Sequence, residues 1–578
     1  MKVIDFHDAN CKHCYKCVRN CRVKAISVKN EQAHIIRDAC IHCGHCLEVC
    51  PQNAKTFASD MDRVKSYLRQ GIKTIISIAP SYLGVLKYEK PGQVVDALLK
   101  LGFSEVRETA EGAALVTKEY QRILAEGEME NMITTCCPSM NDLIEKYYPS
   151  LTKYMLPVVS PMIAHGRLIK SIYGEDVKVV FLGPCIAKKE EAVGDQRVMG
   201  AINAILTFEE LEEWLRMEHI DISKCEEKAF GNPEVNVNRI YPVSGGVIRS
   251  ILEESKNDAN KTEKVNSYHK MYVDGLEECI ELLECMEKGE LSHCFIEANV
   301  CSGGCIKGPA SNNWTASFTK AKLKVEQQVK HAPADELIQT KGISLSKKFY
   351  DRSRKEKQPT EEQIREILKA SGKYKKEDEL NCGACGYPTC RDKAVAVYQN
   401  KAEVGMCLPY AIAKAESMSN IVMDVTPNLN LLIDKELRIC ECNKSAQKYL
   451  GVSRKEALES YIFEYIETRD IEEVLETKQP IMHKKVELPQ IHLVAEETIV
   501  YIEDSESVLV IYQDISKEEL AKEKRLHLKM ETVEMAQRVI DKQMKVAQEI
   551  AGLLGETTAE TKVTLTKLRD SILFDEED

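Results

Sequence analysis

At 578 residues the chain is too long for one compact core and calls for roughly three to five domains. Lysine and arginine number 79 against 91 aspartate and glutamate, a net charge of −12 that argues against a phosphate-backbone partner and so against nucleic acid. The opening MKVIDFHDANCKHC has no apolar signal-like run, and TIISIAPSYLGVL, the longest apolar stretch, is too short to span a bilayer and carries Pro80, so a soluble, cytoplasmic protein with no membrane segment is expected.

Twenty-three cysteines in such a chain read as metal ligands rather than disulfides, because cytosolic reductants keep thiols reduced. The first two runs, CKHCYKCVRNC and CIHCGHCLEVCP, repeat one C-x2-C-x2-C-x3-C spacing within a predicted domain over 1–61. Three cysteines of each run can wrap three corners of an iron-sulfur cube while the fourth reaches across to the sister cube, as in two-cluster ferredoxins. That assigns Cys11, Cys14, Cys17 and Cys50 to one 4Fe-4S cluster, and Cys40, Cys43, Cys46 and Cys21 to the other. Zinc is the alternative. His13, His42 and His45 read as loop residues.

From 62 to 345 apolar strands (TIISIA, VKVVFLGP) alternate with helical stretches (PGQVVDALLKLGF, LEEWLRMEH), the pattern of an α/β domain whose ligand-bearing loops sit at strand ends. Three stretches here concentrate cysteine: TTCCPSM with Cys136 and Cys137, FLGPCIAKKEE with Cys185, and IEANVCSGGCIKGP with Cys301 and Cys305. Adjacent side chains diverge on any regular backbone, so one cysteine of the pair should ligate and the other do something else. One of the pair with Cys185, Cys301 and Cys305 makes four ligands from three distant loops, a site that can be buried. Gly303 and Gly304 are read as clearing side chains where backbone nears a cluster. Cys225, Cys279, Cys285 and Cys294 are read as buried structural thiols.

The charged stretch 346–372 predicts a solvated linker with one helix, started by Thr360 as cap and Gln363 as its capping-box partner. Over 373–412, Cys382, Cys385, Cys390 and Cys407 make a third cubane plausible, with structural zinc the alternative. Residues 413–516 read as strand, turn at Asp434-Lys435-Glu436, strand, a helix capped near Asn443 or Ser445, and a late hairpin; this order resembles a PAS sensory domain. Cys440 and Cys442, two apart on a strand, are expected on one face, as core or as a redox pair. The tail 517–578 repeats Leu526, Val533, Ile540, Ala547 and Leu554 at seven-residue intervals beside Met530, Gln537, Met544 and Ala551, a seam read as a parallel homodimer contact rather than packing within the chain; the closing DEED reads as a solvated acidic end.

The three cysteine loops resemble the signature loops of the FeFe hydrogenases, TSCCPxW, MPCxxKxxE and ExMxCxGGCxxGG, over about residues 1–320. The resemblance implies an H-cluster, in which a cubane held by Cys137, Cys185, Cys301 and Cys305 is joined through Cys305 to a diiron unit with CO, cyanide and azadithiolate. It further implies that Cys136 is a proton-relay thiol, a role its ordinary pKa suits near neutral pH. Lys188 would donate to a cyanide, Glu191 would carry protons onward, and Ala79, Pro80 and Ser81 would contact the second cyanide. Met140, Gly183, Asn299, Pro309 and Met162 depart from the usual residues, and of two helical relay glutamates the chain keeps Glu119 and has Val116 for the other.

The fold expected is thus α/β and α+β multidomain: a ferredoxin-like two-cluster domain, an α/β FeFe-hydrogenase catalytic domain, a small 4Fe-4S domain, a PAS domain and a helical, coiled-coil-like tail. The function expected is slow, reversible conversion of H2 to protons and electrons as a sensor. Its partners would be a ferredoxin-like redox carrier, a signalling kinase or phosphatase, and maturation proteins. A metabolic ferredoxin-linked hydrogenase and a hydrogenase-like iron-sulfur protein without the diiron unit are the alternatives.

Overall fold

The computed structural model describes residues 3–6, 10–256, 259–311, 317–330, 332, 342–551 and 558–573. The chain forms two compact units, Met1–Tyr410 and Ala411–Asp578. No helix among the described residues is long and apolar enough to cross a membrane, and all 23 cysteines are free thiols.

In the first unit the cysteine repeat is also a structural repeat. Short helices Lys16–Asn20 and His45–Glu48 each follow a left-handed residue, Tyr15 (φ 54°) and Gly44 (φ 79°), and His13 and His42 share φ values of 51° and 56°. The Ala25 amide donates to Cys21 Sγ at 3.3 Å and the Ala54 amide donates to Cys50 Sγ at 3.4 Å, so the fourth cysteine of each run is held in the same way.

Two parallel sheets follow. One has the order Glu105–Glu108, Thr74–Ile78, Lys178–Leu182, Ala204–Leu206; the other has the order His269–Asp274, Cys294–Asn299, Met132–Ile133. Their central strands Thr74–Ile78 and Cys294–Asn299 are mostly apolar and buried at every position, as strands covered on both faces must be. The expected helices appear at Gly92–Lys100 and Phe208–Met217, and Thr207 caps the second through a full capping box with Glu210.

Residues 346–356 are mostly exposed, as a solvated linker should be, but two of their charged side chains are anchored to the domain. Lys347 is 5% exposed and ion-pairs Glu191 at 3.5 Å and Asp195 at 3.0 Å, while Arg352 pairs Glu145 at 3.0 Å and Asp142 at 2.8 Å. Charge here also marks a strap laid over buried carboxylates. The helix Glu361–Ala370 then starts at the capping box of Thr360 and Gln363.

The second unit holds a five-stranded antiparallel sheet in the order Ile439–Cys442, Leu429–Ile433, Ser507–Asp514, Leu493–Ile502, Ile481–Leu488. Asp434 Oδ1 accepts from the amides of Glu436 (3.0 Å) and Arg438 (2.9 Å) to make the turn, and of the two candidate caps it is Asn443 that accepts from Ala446 N at 2.9 Å. The shared face of Cys440 and Cys442 is corrected: Ile433 pairs Ile439 while Leu432 pairs Glu441, so Cys440 is the extra residue of a bulge. Cys440 is accordingly exposed and Cys442 packs in the core.

The tail comprises helices Ser516–Ala551 and Thr558–Leu573, which pack on one another. Val533, Gln537, Ile540, Met544 and Ala547 are half-buried, while Leu526 and Met530 stay exposed, so the later part of the seam meets a partner helix of the same chain. Leu554 and the closing DEED lie outside the described residues. Cys225, Cys279 and Cys294 are buried as expected; Cys285 is not, being partly exposed on the helix Leu276–Glu287.

Candidate metal centre

Four segments leave the carboxyl ends of parallel strands and converge, two from each sheet. Ala79-Pro80-Ser81 follows Thr74–Ile78, Pro184-Cys185 follows Lys178–Leu182, Cys136-Cys137 follows Met132–Ile133, and Cys301 to Cys305 follow Cys294–Asn299. They line a cavity of about 90 Å³ walled by Ala79, Pro80, Ser81, Cys136, Cys185, Lys188 and Cys305, with Thr109, Met162, Phe181, Tyr241 and Asn299. Burial pushes the Cys185 thiol up to about 11 and the Cys301 and Cys305 thiols higher, and each also feels Cys137 and its other sulfur neighbours. Converging sulfurs whose ionised forms would repel one another fit a cationic iron cluster, which supplies the positive charge that those forms lack. Ser81, 1% exposed, turns a hydroxyl into this cavity with no hydrogen-bond partner, an orphan that a bound acceptor would satisfy.

Gly303 (φ 87°) and Gly304 (φ 78°) also meet a packing demand within the protein. Both are left-handed, and a Cβ would stand 2.8 Å from the Phe318 ring at Gly303 and 2.6 Å from the Pro242 carbonyl at Gly304. The close approach is to neighbouring protein.

Lys188 is buried, with Nζ 2.9 Å from Glu191 Oε2 and 3.4 Å from the Cys136 carbonyl. Burial disfavours its charge, but Glu191 and Cys185 outweigh this and the ammonium is retained. Burial likewise disfavours the Glu191 carboxylate, yet Lys188, Lys347 and the Ser160 hydroxyl at 2.8 Å hold its pKa below the usual range. A carboxylate held ionised by two ammonium groups takes up a proton with difficulty. Its geometry is that of a counter-ion that aims Lys188.

Cys136 Sγ lies 3.4 Å from Tyr120 Oη, and burial pushes the thiol up to about 12 against the pull of Tyr120 and Lys188. That replaces the ordinary thiol value taken from the sequence: the group rests as a thiol. Glu297, 1% exposed, is electrostatically coupled to Cys136, and burial lifts its carboxyl to about 7 despite amide donors that include Ile248 N at 3.1 Å.

The second N-terminal set and the third set gather, whereas of the first set only Cys11 and Cys17 are seen to interact. Cys21 is coupled to Cys40, Cys43 and Cys46, and Cys11 to Cys17. Cys43 shares a cleft with Cys301, so the second N-terminal site adjoins the buried one. Cys382, Cys385, Cys390 and Cys407 line one small cavity of about 20 Å³, beside which Lys373 Nζ donates to Cys407 Sγ at 3.3 Å. Burial works against the Cys407 thiolate, but the Tyr410 amide and Lys373 bring its pKa below the ordinary range, as suits a ligand. Among the described residues no three Cys, His, Asp or Glu side chains stand close enough to hold a single metal ion.

Comparison with known families matches the description "Iron only hydrogenase large subunit, C-terminal domain" over 72–309. These residues are an iron-only hydrogenase domain. A 4Fe-4S dicluster domain matches over 10–54, an Fe-S cluster family over 378–409 and the PAS fold over 418–515. Iron hydrogenase 1 of Clostridium pasteurianum is 27% identical over 380 residues, 50% of this chain and 66% of that one. The NADP-reducing hydrogenase subunit HndD of Solidesulfovibrio fructosivorans is 24% identical over 323 residues, 46% of this chain and 55% of that one. The chain thus spans about half to two thirds of these relatives. Among solved structures, a variant of the [FeFe]-hydrogenase HydA1 from Chlamydomonas reinhardtii aligns with a TM-score of 0.40 at 18% identity, covering 46% of this chain and 88% of that one.

The hydrogenase domain fills its departures with protein. Beside Gly183 the Phe181 ring stands where a side chain would go, 2.7 Å from an ideal Cβ. Met162 and Asn299 wall the cavity, Met140 is core, and Pro309 packs on Gly44 of the N-terminal repeat. Val116 is fully buried, and Glu119 pairs with Arg122 at 2.8 Å. Sequence reasoning missed Tyr120, Tyr241, Glu297 and Lys347. Only Glu297 carried a signal, as the glutamate of the third loop's motif four residues before Cys301.

Proposed function

We propose that the chain converts H2 reversibly to protons and electrons as a slow sensor, with the N-terminal and third clusters carrying electrons and the PAS domain and tail passing a signal to a separate kinase or phosphatase. What carries this reading is one cavity where Cys136, Cys185, Cys305, Lys188 and the orphaned Ser81 hydroxyl meet. Cys137, Cys185, Cys301 and Cys305 would hold the cubane of an H-cluster, Cys305 would bridge to the diiron unit, and Lys188 and Ser81 would donate to its cyanides. When bound, that group supplies the open iron site at which H2 is formed or split.

The protein's own part is positional and protonic. Lys188, fixed by Glu191, presents a permanent ammonium to the cavity. Cys136 brings a thiol proton to the cavity wall, and Glu297, with a carboxyl near 7, can return that proton or take it away near neutral pH. The apolar walls of Ala79, Met162, Phe181 and Val247 keep bulk water from short-circuiting the exchange. A ferredoxin-like carrier would exchange electrons with the N-terminal clusters, maturation proteins would install the diiron unit, and the exposed Leu526 and Met530 would serve pairing with a second copy.

The test is an infrared spectrum of anaerobically matured protein. CO and cyanide stretches are expected. Their absence from protein with its full iron-sulfur content, after maturation that loads a reference hydrogenase, would overturn the reading in favour of an electron-transfer protein.

A further inference from the structure

The third cysteine site and the N-terminal repeat are separated by more than 300 residues of sequence, yet they share one core. Cys17, Val18, Ile26 and Val28 pack with Tyr387, Ala396 and Met406, and Cys21 and Cys385 both lie against this cluster. The junction is built from backbone. Lys24 Nζ donates to the Gly386 carbonyl at 2.6 Å, the Arg19 guanidinium donates to the Ala384 carbonyl at 3.2 Å, and the Val28 amide donates to the Lys401 carbonyl at 2.9 Å. At Gly386 (φ 94°) a Cβ would stand 3.1 Å from Arg19 N, so only glycine lets the two loops come this close.

At the centre of the junction is Tyr387. It is 5% exposed, its ring lies under Lys24 Nζ at 5.7 Å, and it lines the cavity of Cys382, Cys385, Cys390 and Cys407. Its hydroxyl is buried with no hydrogen-bond partner, and Cys385 and Cys21 both pack against the apolar cluster that holds its ring. A buried phenol without an acceptor is costly, by about 1–3 kcal/mol. Cluster sulfur is the acceptor that this position offers.

We propose that Tyr387 donates its hydroxyl proton in a hydrogen bond to the third cluster at this junction, and that the third cluster exchanges electrons directly with the N-terminal pair. The inference rests on the reading that these sites hold 4Fe-4S clusters. The step is a single-electron transfer: one cluster is oxidised, its neighbour is reduced, and Tyr387 stays neutral with its proton in place. The electrons come from H2 under the proposed function, or from dithionite in the test. Tyr387 is thus a positioning residue that tunes one cluster, since hydrogen bonds to cluster sulfur shift reduction potential. The third cluster becomes the redox input nearest in sequence to the helix Leu408–Val425, which begins one residue after its ligand Cys407.

The test uses the full chain, reconstituted with iron and sulfide and without the diiron unit. In the reduced wild type, electron paramagnetic resonance should show broadened, interacting cluster signals. Gly386→Val, or Lys24→Ala should the first lose its clusters, should sharpen these signals at unchanged iron content. In Tyr387→Phe the third cluster's midpoint, read by redox titration, should move to a more negative potential with iron unchanged. Isolated, non-interacting signals in fully loaded wild type would overturn the electronic contact, and an unmoved midpoint in Tyr387→Phe would overturn the hydrogen bond. Wild-type iron short of one cubane would overturn the cluster reading itself, and the proposal with it.

Discussion

Replacing Glu297 with glutamine isolates the carboxyl beside Cys136. Burial lifts this acid from the ordinary glutamate value to about 7, while amide donors including Ile248 N oppose the shift. The folded-state pKa is raised, so the protonated acid makes its full contribution below about pH 4, and that contribution is lost as the pH rises through about 7. At about 1.4 kcal/mol per pH unit, the ionised carboxylate costs the fold roughly 3–4 kcal/mol at pH 8. Glutamine has the same shape and no charge, and gives up about 1 kcal/mol through one weakened amide bond. Glu297→Gln should therefore stabilise the first unit by about 2 kcal/mol at pH 8 and by nothing, or slightly less than nothing, near pH 4. Both tryptophans, Trp214 and Trp314, precede residue 411, so tryptophan fluorescence during denaturant unfolding reports this unit without interference from the second. A stability difference that does not change with pH would refute the account, as would an infrared carboxyl titration with its midpoint in the ordinary glutamate range.

Cys136→Ala should lower H2 turnover of matured protein by about 100-fold or more, the usual scale of a general acid–base group, while iron content stays at the wild-type level; equal turnover would remove the thiol from the proton path. Gly304→Ala must place a Cβ at φ 78° and 2.6 Å from the Pro242 carbonyl, and should cost about 2 kcal/mol or more in the same fluorescence assay, with loss of iron from the buried site.

Where function and fold depend on short-range chemistry, the sequence was readable. The capping box at Thr360, the turn at Asp434 and the strands before Cys185 and Ala79 are local patterns, and each appears in place. Long-range partners were not readable. Lys347 looks like any lysine in a charged run until the fold brings Glu191 and Asp195 to it. Cys440 and Cys442 obey the two-residue period of a strand only if no residue is inserted, and the bulge is a property of the pairing with Leu429–Ile433. Tyr120 lies only 16 positions before Cys136, but its contact depends on how the helix Ala110–Glu126 packs beneath the loop. The cysteine loops were legible because metal chemistry demands particular residues. Their setting was not, because many side chains can fill a wall.

The changes to this site fall unevenly. On the proposed electron side Cys43 shares a cleft with Cys301, and Tyr387 packs with residues of the third cysteine site and the N-terminal repeat. On the proton side Val116 carries no ionisable group, Glu119 is tied to Arg122, and Glu191 is held ionised by two lysines. What remains near Cys136 is a thiol that binds its proton tightly and one carboxyl near 7. Proton delivery should then set the pace. Turnover of matured protein should fall in deuterated water and should not respond to higher concentrations of the electron carrier. A rate indifferent to deuterium but proportional to the carrier would place the bottleneck in the clusters, and would show that the proton path lost with Val116 has been replaced by one just as fast.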